Sequence, residues 1–150
     1  MADEVSAVEL VEEADRWVVP LDGCEVVQCR VDYAFTLVID GGRGSFEVRI
    51  EQPFEVLGRV DGRSASVSGE GDPAAFAPAL VVLHAGLDAA LAFKDGRLEL
   101  RFDDARRLRV PVGEQFEAWT LVGPEGLRLV SLPGGELAVW SPNGSAAASG

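Results

Sequence analysis

Every odd-numbered residue from position 27 to 39 is apolar: Val27, Cys29, Val31, Tyr33, Phe35, Leu37 and Ile39. Successive side chains of a strand point to opposite faces of a sheet, so strict alternation over this length describes β-structure with one buried face. A shorter version returns at Leu98, Leu100 and Phe102. After each run come an acidic turn and a second alternating run, Phe46, Val48 and Ile50 or Leu108, Val110 and Val112, and then the pair Phe54-Glu55 or Phe116-Glu117. The second copy trails the first by 63 residues ahead of the turn and by 62 beyond it. Hairpins that each bury one face share alternation by necessity, so the repeat constrains architecture and carries no reaction chemistry.

The segment 25–40 reads as one strand of sixteen residues. Strands usually run roughly three to ten residues, so a bend, bulge or break is expected between Gln28 and Asp32. Asp40-Gly41-Gly42-Arg43-Gly44 supplies the glycines of a hairpin loop. A short strand is expected at 17–21 and a polar edge hairpin at 55–60 and 64–68, turning at Asp61-Gly62. Asp72 is a good N-cap and Pro73 suits a first turn, which predicts a helix over 73–85 with Phe76, Leu80 and Leu83 on one face and Gly86 as its left-handed stop. Pro78 either kinks that helix or marks a later start. Further strands fall at 87–93, 97–102, 107–112, 117–122, 127–132 and 136–140, each pair separated by a turn signal. The expected fold is mainly β (α+β by strict count). It is an antiparallel meander of about ten strands in two similar β-rich halves, 17–68 and 87–140, with one short helix between them. Residues 1–16 form an acidic arm, read as a frayed helix or a disordered segment, and 141–150 has nothing to bury and is expected to be disordered.

A chain of 150 residues is the size of one domain with a real core. No stretch approaches the roughly 18 consecutive apolar residues of a membrane helix, so no membrane association is expected. Met1-Ala2-Asp3-Glu4 opens acidic where a secretory signal opens basic, which makes the cytoplasm the expected location. The formal charge is -12, and the first sixteen residues carry five of those net negatives. Such a surface repels phosphate backbones and speaks against nucleic acid as a partner. It suits solubility, or a basic protein partner. Cys24 and Cys29 lie in an extended segment at odd spacing, about 16 Å apart at Cα, too far for a disulfide that needs less than about 7 Å. Cys29 falls in the apolar register and reads as a small buried hydrophobe.

The stretches Arg30-Val31-Asp32-Tyr33-Ala34-Phe35-Thr36-Leu37, Phe93-Lys94-Asp95-Gly96-Arg97-Leu98-Glu99-Leu100, Glu117-Ala118-Trp119 and Pro133-Gly134-Gly135-Glu136-Leu137-Ala138-Val139-Trp140 resemble an actinobacterial family known only as a domain of unknown function, the 6188 family. The resemblance covers residues 17–140, and the terminal block ending at Trp140 is its most specific part. It implies a compact domain in a bacterial cytoplasm and brings no reaction, ligand or cofactor. Arginine outnumbers lysine twelve to one, which fits a GC-rich genome independently.

His84 is the only histidine, so neither a two-histidine metal site nor HExxH can be assembled. Its place before Gly86 suits a cation against the last carbonyls of a helix. Gly41-Gly42-Arg43-Gly44 lies between strands and lacks the Gly-Lys-Ser/Thr ending of a phosphate loop. No metal and no cofactor is expected. The candidate group is Arg30, Asp32, Tyr33, Glu51, Glu55, Glu117 and Trp119. Arg30 and Asp32 share the polar face of their strand as an expected surface ion pair. The alternative places Asp32 and the acids after each hairpin in a groove between the halves, where two carboxylates act as acid and base. Trp119 and Trp140 each follow a strand alternation, which predicts burial. The leading expectation is a non-enzymatic protein-binding or regulatory module of the immunity-protein kind, monomeric or homodimeric. The competing one is a small-molecule-binding or hydrolytic enzyme using groove carboxylates.

Overall fold

Where apolar residues alternate and glycine-rich turns intervene, backbone donors and acceptors find partners only in a neighbouring strand, and the chain pairs antiparallel throughout. A computed structural model describes residues 9–58, 64–68, 72–141 and 146–149. In chain order the strands are β1 (Val11–Glu12), β2 (Arg16–Val19), β3 (Glu25–Val31), β4 (Phe35–Gly41), β5 (Gly44–Ile50), β6 (Phe54–Leu57), β7 (Ser64–Val67), β8 (Leu87–Phe93), β9 (Leu98–Phe102), β10 (Arg107–Val110), β11 (Trp119–Val122), β12 (Arg128–Ser131), β13 (Leu137–Trp140) and β14 (Ala146–Ser149). They form two seven-stranded sheets, β1-β2-β8-β9-β10-β6-β7 and β14-β13-β12-β11-β5-β4-β3. The fold is mainly β and antiparallel, as the alternation requires.

The sheets stack face to face over one core. Leu98, Leu100, Phe102, Leu108, Val110 and Phe54 from the first sheet join Phe35, Leu37, Ile39, Phe46, Val48, Trp119 and Leu121 from the second in a single buried cluster. Each fully buried large apolar side chain contributes about 1.5–3 kcal/mol relative to exposure. Two polar groups pin the layers together. Gly96, in the turn between β8 and β9, offers its carbonyl to the Trp119 indole N–H at 2.9 Å and to the Ser131 hydroxyl at 2.7 Å.

The doubled pattern has a three-dimensional counterpart. The chain runs β3-β4-β5 as a meander in one sheet and β8-β9-β10 as a meander in the other. Each meander is then extended by a hairpin from the opposite half: β11-β12 beside β5, and β6-β7 beside β10. Both meanders carry a register shift close to their start, between Val26 and Gln28 and between Leu87 and Ala89, which aligns Val26 with Leu87. On that alignment the segments that lead into β3 and β8 pair with each other. Val26 N–H donates to Ala85 O and Leu87 N–H to Cys24 O, while His84 N–H donates to Val26 O and Gly23 N–H to Leu87 O. Each pair of bonds interchanges under the alignment, and Glu25 faces its own counterpart, Gly86. This is the contact pattern of a two-fold axis. The halves therefore interleave, each sheet drawing strands from both.

Several local expectations are corrected. Segment 25–40 is a hairpin, because residues 32–34 turn the chain between β3 and β4; a bulge at Val27 puts Val26 inside and Val27 outside. The helix is a 3-10 helix, Pro73–Val82, with the Asp72 carboxylate accepting from Ala74 N–H at 3.0 Å. Pro78 has no N–H for the α-helical ladder, and three residues per turn align Phe76, Ala79 and Val82 on the buried face. Leu80 and Leu83 are consequently exposed. The left-handed residue at its end is His84 (φ 71°), not Gly86. In the arm, Val11 and Glu12 are extended and pair with β2; residues 1–8 lie outside the described part. In the tail, Ala146–Ser149 pairs along β13, whose outer edge otherwise leaves backbone groups without partners. Trp140 is exposed because Val139 takes the inward position. Cys24 is the fully buried thiol, Cys29 on the edge strand is half-buried, and both are free.

Candidate functional site

Turns 32–34 and 51–53, the loop 111–118 and the turn 133–135 gather at one end of the sandwich, because Phe35 pairs with Ile50 and Ile50 with Trp119. The first turn is held by its own aspartate. Asp32 Oδ1 accepts from Ala34 N–H at 2.7 Å, and Asp32 Oδ2 accepts from Arg49 Nη1 at 3.3 Å. Arg49 Nε also meets Glu51 Oε2 at 3.3 Å, so one guanidinium on β5 ties two carboxylates of this end together. The Ala34 backbone N–H, followed by the Arg49 guanidinium, holds the Asp32 carboxyl below its ordinary pKa. At the tip, Tyr33 is 100% exposed. Across the same end Phe116 is 76% exposed and lines a shallow cavity of about 510 Å³ with Glu51, Gln115, Glu117 and Pro133. Gln52 Nε2 donates to Pro111 O and fastens the loop to the end of β5.

The seven residues singled out in the sequence are thus divided. Asp32, Tyr33, Glu51 and Glu117 share the turn-bearing end. Arg30 pairs instead with Glu47, at 3.5 Å, on the outer face of the second sheet, and Asp32 takes Arg49, so the expected Arg30–Asp32 pair does not form. Trp119 is fully buried with its N–H satisfied. Glu55 lies on the outer face of the first sheet. His84 faces Glu25 at 3.6 Å on the surface. Among the described residues no group of three or more His, Cys, Asp or Glu side chains is placed to hold a metal ion.

Around Glu55 is a constellation that motif-seeking does not reveal. Glu55 on β6, Arg109 on β10 and Glu99 on β9 lie side by side across the sheet. Glu99 is 7% exposed. Its carboxylate accepts from Arg101 Nε at 2.6 Å and from Arg109 Nε at 3.1 Å, with Arg107 at 3.9 Å. Burial pushes the Glu99 carboxyl upward, but the Arg101 and Arg109 guanidiniums prevail and hold it below its ordinary value. Arg97 stacks on the Phe93 ring at 4.5 Å, with Arg16 over the same ring at 5.0 Å. A groove of about 660 Å³ runs over this surface, edged by Pro53 and Pro111 and containing Glu55, Ser66, Arg97, Glu99 and Arg109. The signal was available in Arg97-x-Glu99-x-Arg101 and Arg107-x-Arg109, whose two-residue spacing puts each set on one strand face.

A family model described as a family of unknown function, DUF6188, matches residues 17–141, which takes in β2 to β13 and both of the surfaces above. The chain belongs to that family. No curated protein and no solved structure matches the chain. The DUF6188 match begins at Trp17 in β2 and ends one residue beyond Trp140, so the interleaved pair of meanders and their exchanged hairpins are all within it, while β1 and β14 are outside. Among the described residues no helix of this DUF6188 chain is long and apolar enough to cross a membrane.

Proposed function

We propose that this domain is a non-enzymatic protein-binding module of the bacterial cytoplasm, and that its partner docks on the end of the sandwich that carries Tyr33 and Phe116. The observation that carries this reading is the exposure of those two aromatics, 100% and 76%, on turns anchored to the sheet. Aromatic side chains held out into water on a fixed backbone lose little conformational freedom on binding, and tyrosine is among the residue types that dominate protein–protein affinity. Asp32, Glu51 and Glu117 surround them, so the complementary surface is basic. Immunity-like neutralisation of a basic protein fits this arrangement. The Ala34 N–H and Arg49 hold the Asp32 carboxyl below its ordinary pKa, which does not suit it to the role of general acid.

The test is site-specific photo-crosslinking in the native host, with a photoreactive phenylalanine analogue replacing Tyr33 or Phe116, and Asp22 on the far side of β3 as the control position. A discrete adduct from positions 33 and 116 that Tyr33→Ala or Phe116→Ala reduces about tenfold in pull-down supports the module. Adducts no more frequent at 33 and 116 than at 22 overturn it. Size-exclusion light scattering of the purified chain separates a foreign partner from a second copy.

A further inference from the structure

The outer face of β9 and β10 concentrates positive charge in a protein whose formal charge is -12. Arg97, Arg101, Arg107 and Arg109 all project from it, against Glu99, Asp95 and Glu55. The carboxylates use these guanidiniums sparingly. Asp95 takes Arg97 by its Nε alone, at 2.9 Å and 3.1 Å, and Glu99 takes Arg109 by its Nε alone, at 3.1 Å. A guanidinium has five N–H donors, so each keeps its four Nη hydrogens for something else, and among the described residues neither Arg97 nor Arg109 spends them. Arg109 faces Glu99, and Arg97, the residue just before β9, is two positions from Glu99, which puts the two arginines near the diagonal spacing of a sheet, about 7–8 Å between Cα atoms and within reach of long side chains. Both open into the groove of about 660 Å³.

We propose that this groove is a binding site for a small organic anion, whose phosphate or carboxylate group is clamped between the Nη groups of Arg97 and Arg109. Glu99 and Asp95 act as positioning residues: each grips a guanidinium by its inner edge and turns the outer edge to the groove, as Phe93 does beneath Arg97 by stacking. Fork-shaped donors of this kind match the paired oxygens of a carboxylate or phosphate. Buried Glu99 keeps the arginines from repelling one another when the site is empty. Glu55 faces the same groove from β6, with no partner among the described residues, and selects against anions that crowd that wall. The volume lies in the range of small-molecule sites, roughly 300–1,000 Å³, and the walls at Pro53 and Pro111 limit it, which favours a compact ligand over an acidic protein segment. The distant acidic groups do not defeat the clamp, since about 8 Å of physiological salt solution screens them. The groove adjoins the turn-bearing end at Pro53 and Pro111 but is lined by neither Tyr33 nor Phe116, so its test is independent of protein docking there.

The test is calorimetric titration of the full chain with sodium pyrophosphate and, separately, sodium citrate, at ionic strength held constant with sodium chloride, together with amide NMR spectra. The expected result is saturable binding of at least one probe with a Kd below about 1 mM and amide shifts confined to the surroundings of Ser66, Phe93, Arg97 and Arg109. Pyrophosphate alone identifies phosphate chemistry and citrate alone identifies carboxylate chemistry. Arg97→Ala and Arg109→Ala should each weaken binding about tenfold, and Arg109→Lys, which keeps charge and fold but loses the fork, should do nearly the same. Arg128→Ala, on the other sheet, should leave it unchanged. No saturation by either probe at about 10 mM, saturation indifferent to Arg97 and Arg109, or saturation by a polyglutamate peptide alone would each overturn the proposal.

Discussion

The Gly96 carbonyl joins the two sheets through two donors, and removing them one at a time and then together should expose an energetic coupling. Ser131→Ala deletes the hydroxyl that reaches Gly96 O at 2.7 Å and leaves the indole N–H at 2.9 Å in place. One net hydrogen bond is worth about 1 kcal/mol, and the carbonyl remains satisfied, so the loss should be near that figure. Trp119→Phe deletes the other donor and leaves a small void; a cavity of roughly 30 Å³ at about 24 cal/mol per Å³ adds about 0.7 kcal/mol, for a total near 2 kcal/mol. In the double variant the buried carbonyl has neither donor. The cost of an unsatisfied buried acceptor, about 1–3 kcal/mol, then comes on top of the sum, for a total of about 4–6 kcal/mol. Urea unfolding of the four proteins by far-ultraviolet circular dichroism gives the cycle, with unchanged m-values as the check that the transition is the same. Additivity within about 0.5 kcal/mol would refute the idea that the two donors share one indispensable acceptor.

Three further outcomes are expected. Phe76→Ala should cost about 3–5 kcal/mol and Leu80→Ala no more than about 0.5 kcal/mol by chemical denaturation, whereas an α-helical face would make the two comparable. Gly96→Ala forces an L-residue to a φ of 101° with its Cβ 3.1 Å from the Gly135 Cα, so a loss of about 1–3 kcal/mol or more is expected. Gly86→Ala meets only the movable Asp103 carboxylate and should lower the melting temperature less. Glu99 has a depressed pKa, so its ion pairs stabilise the fold fully above its unfolded value, near 4.5, and that contribution is lost as pH falls through the lower native value. Glu99→Gln should therefore melt below the parent at neutral pH and converge with it under acid; parallel curves would contradict the assignment.

The individual alternations were legible because burial of one sheet face leaves a period of two in the residue types, as in Phe35-Leu37-Ile39 and Leu98-Leu100-Phe102. Where one residue broke that period, the sequence misled. Val27 carries the apolar register of its neighbours, but the bulge there returns Val26 to the core. At Phe76, Leu80 and Leu83 an α-helical spacing was expected, and Pro78 imposes three residues per turn instead. The turn-bearing end was partly legible through Asp32, Tyr33, Glu51 and Glu117, which follow or interrupt alternating runs. Arg97, Arg101, Arg107 and Arg109 show the two-residue spacing of a strand face, but Arg97 and Arg109 edge a groove only once β6 lies beside β10 and β7 beside β6.

By itself the sequence determined what is local: antiparallel strands, their turns, the acidic balance, and a pattern stated twice. Alternation is a property of a few consecutive residues, and a buried face enforces it wherever a strand lies. What only the tertiary structure decided is which strands are neighbours. Cross-chain pairing depends on backbone groups common to every residue, so nothing in the composition of β6 announces that it leaves its own meander to pair with β10, or that β11 crosses to β5. That exchange turned two tandem halves into one interleaved sandwich and brought Glu55 beside Arg109. The repeated pattern was visible in the residues; the two-fold arrangement that gives it meaning is made by hydrogen bonds between segments some 61 residues apart.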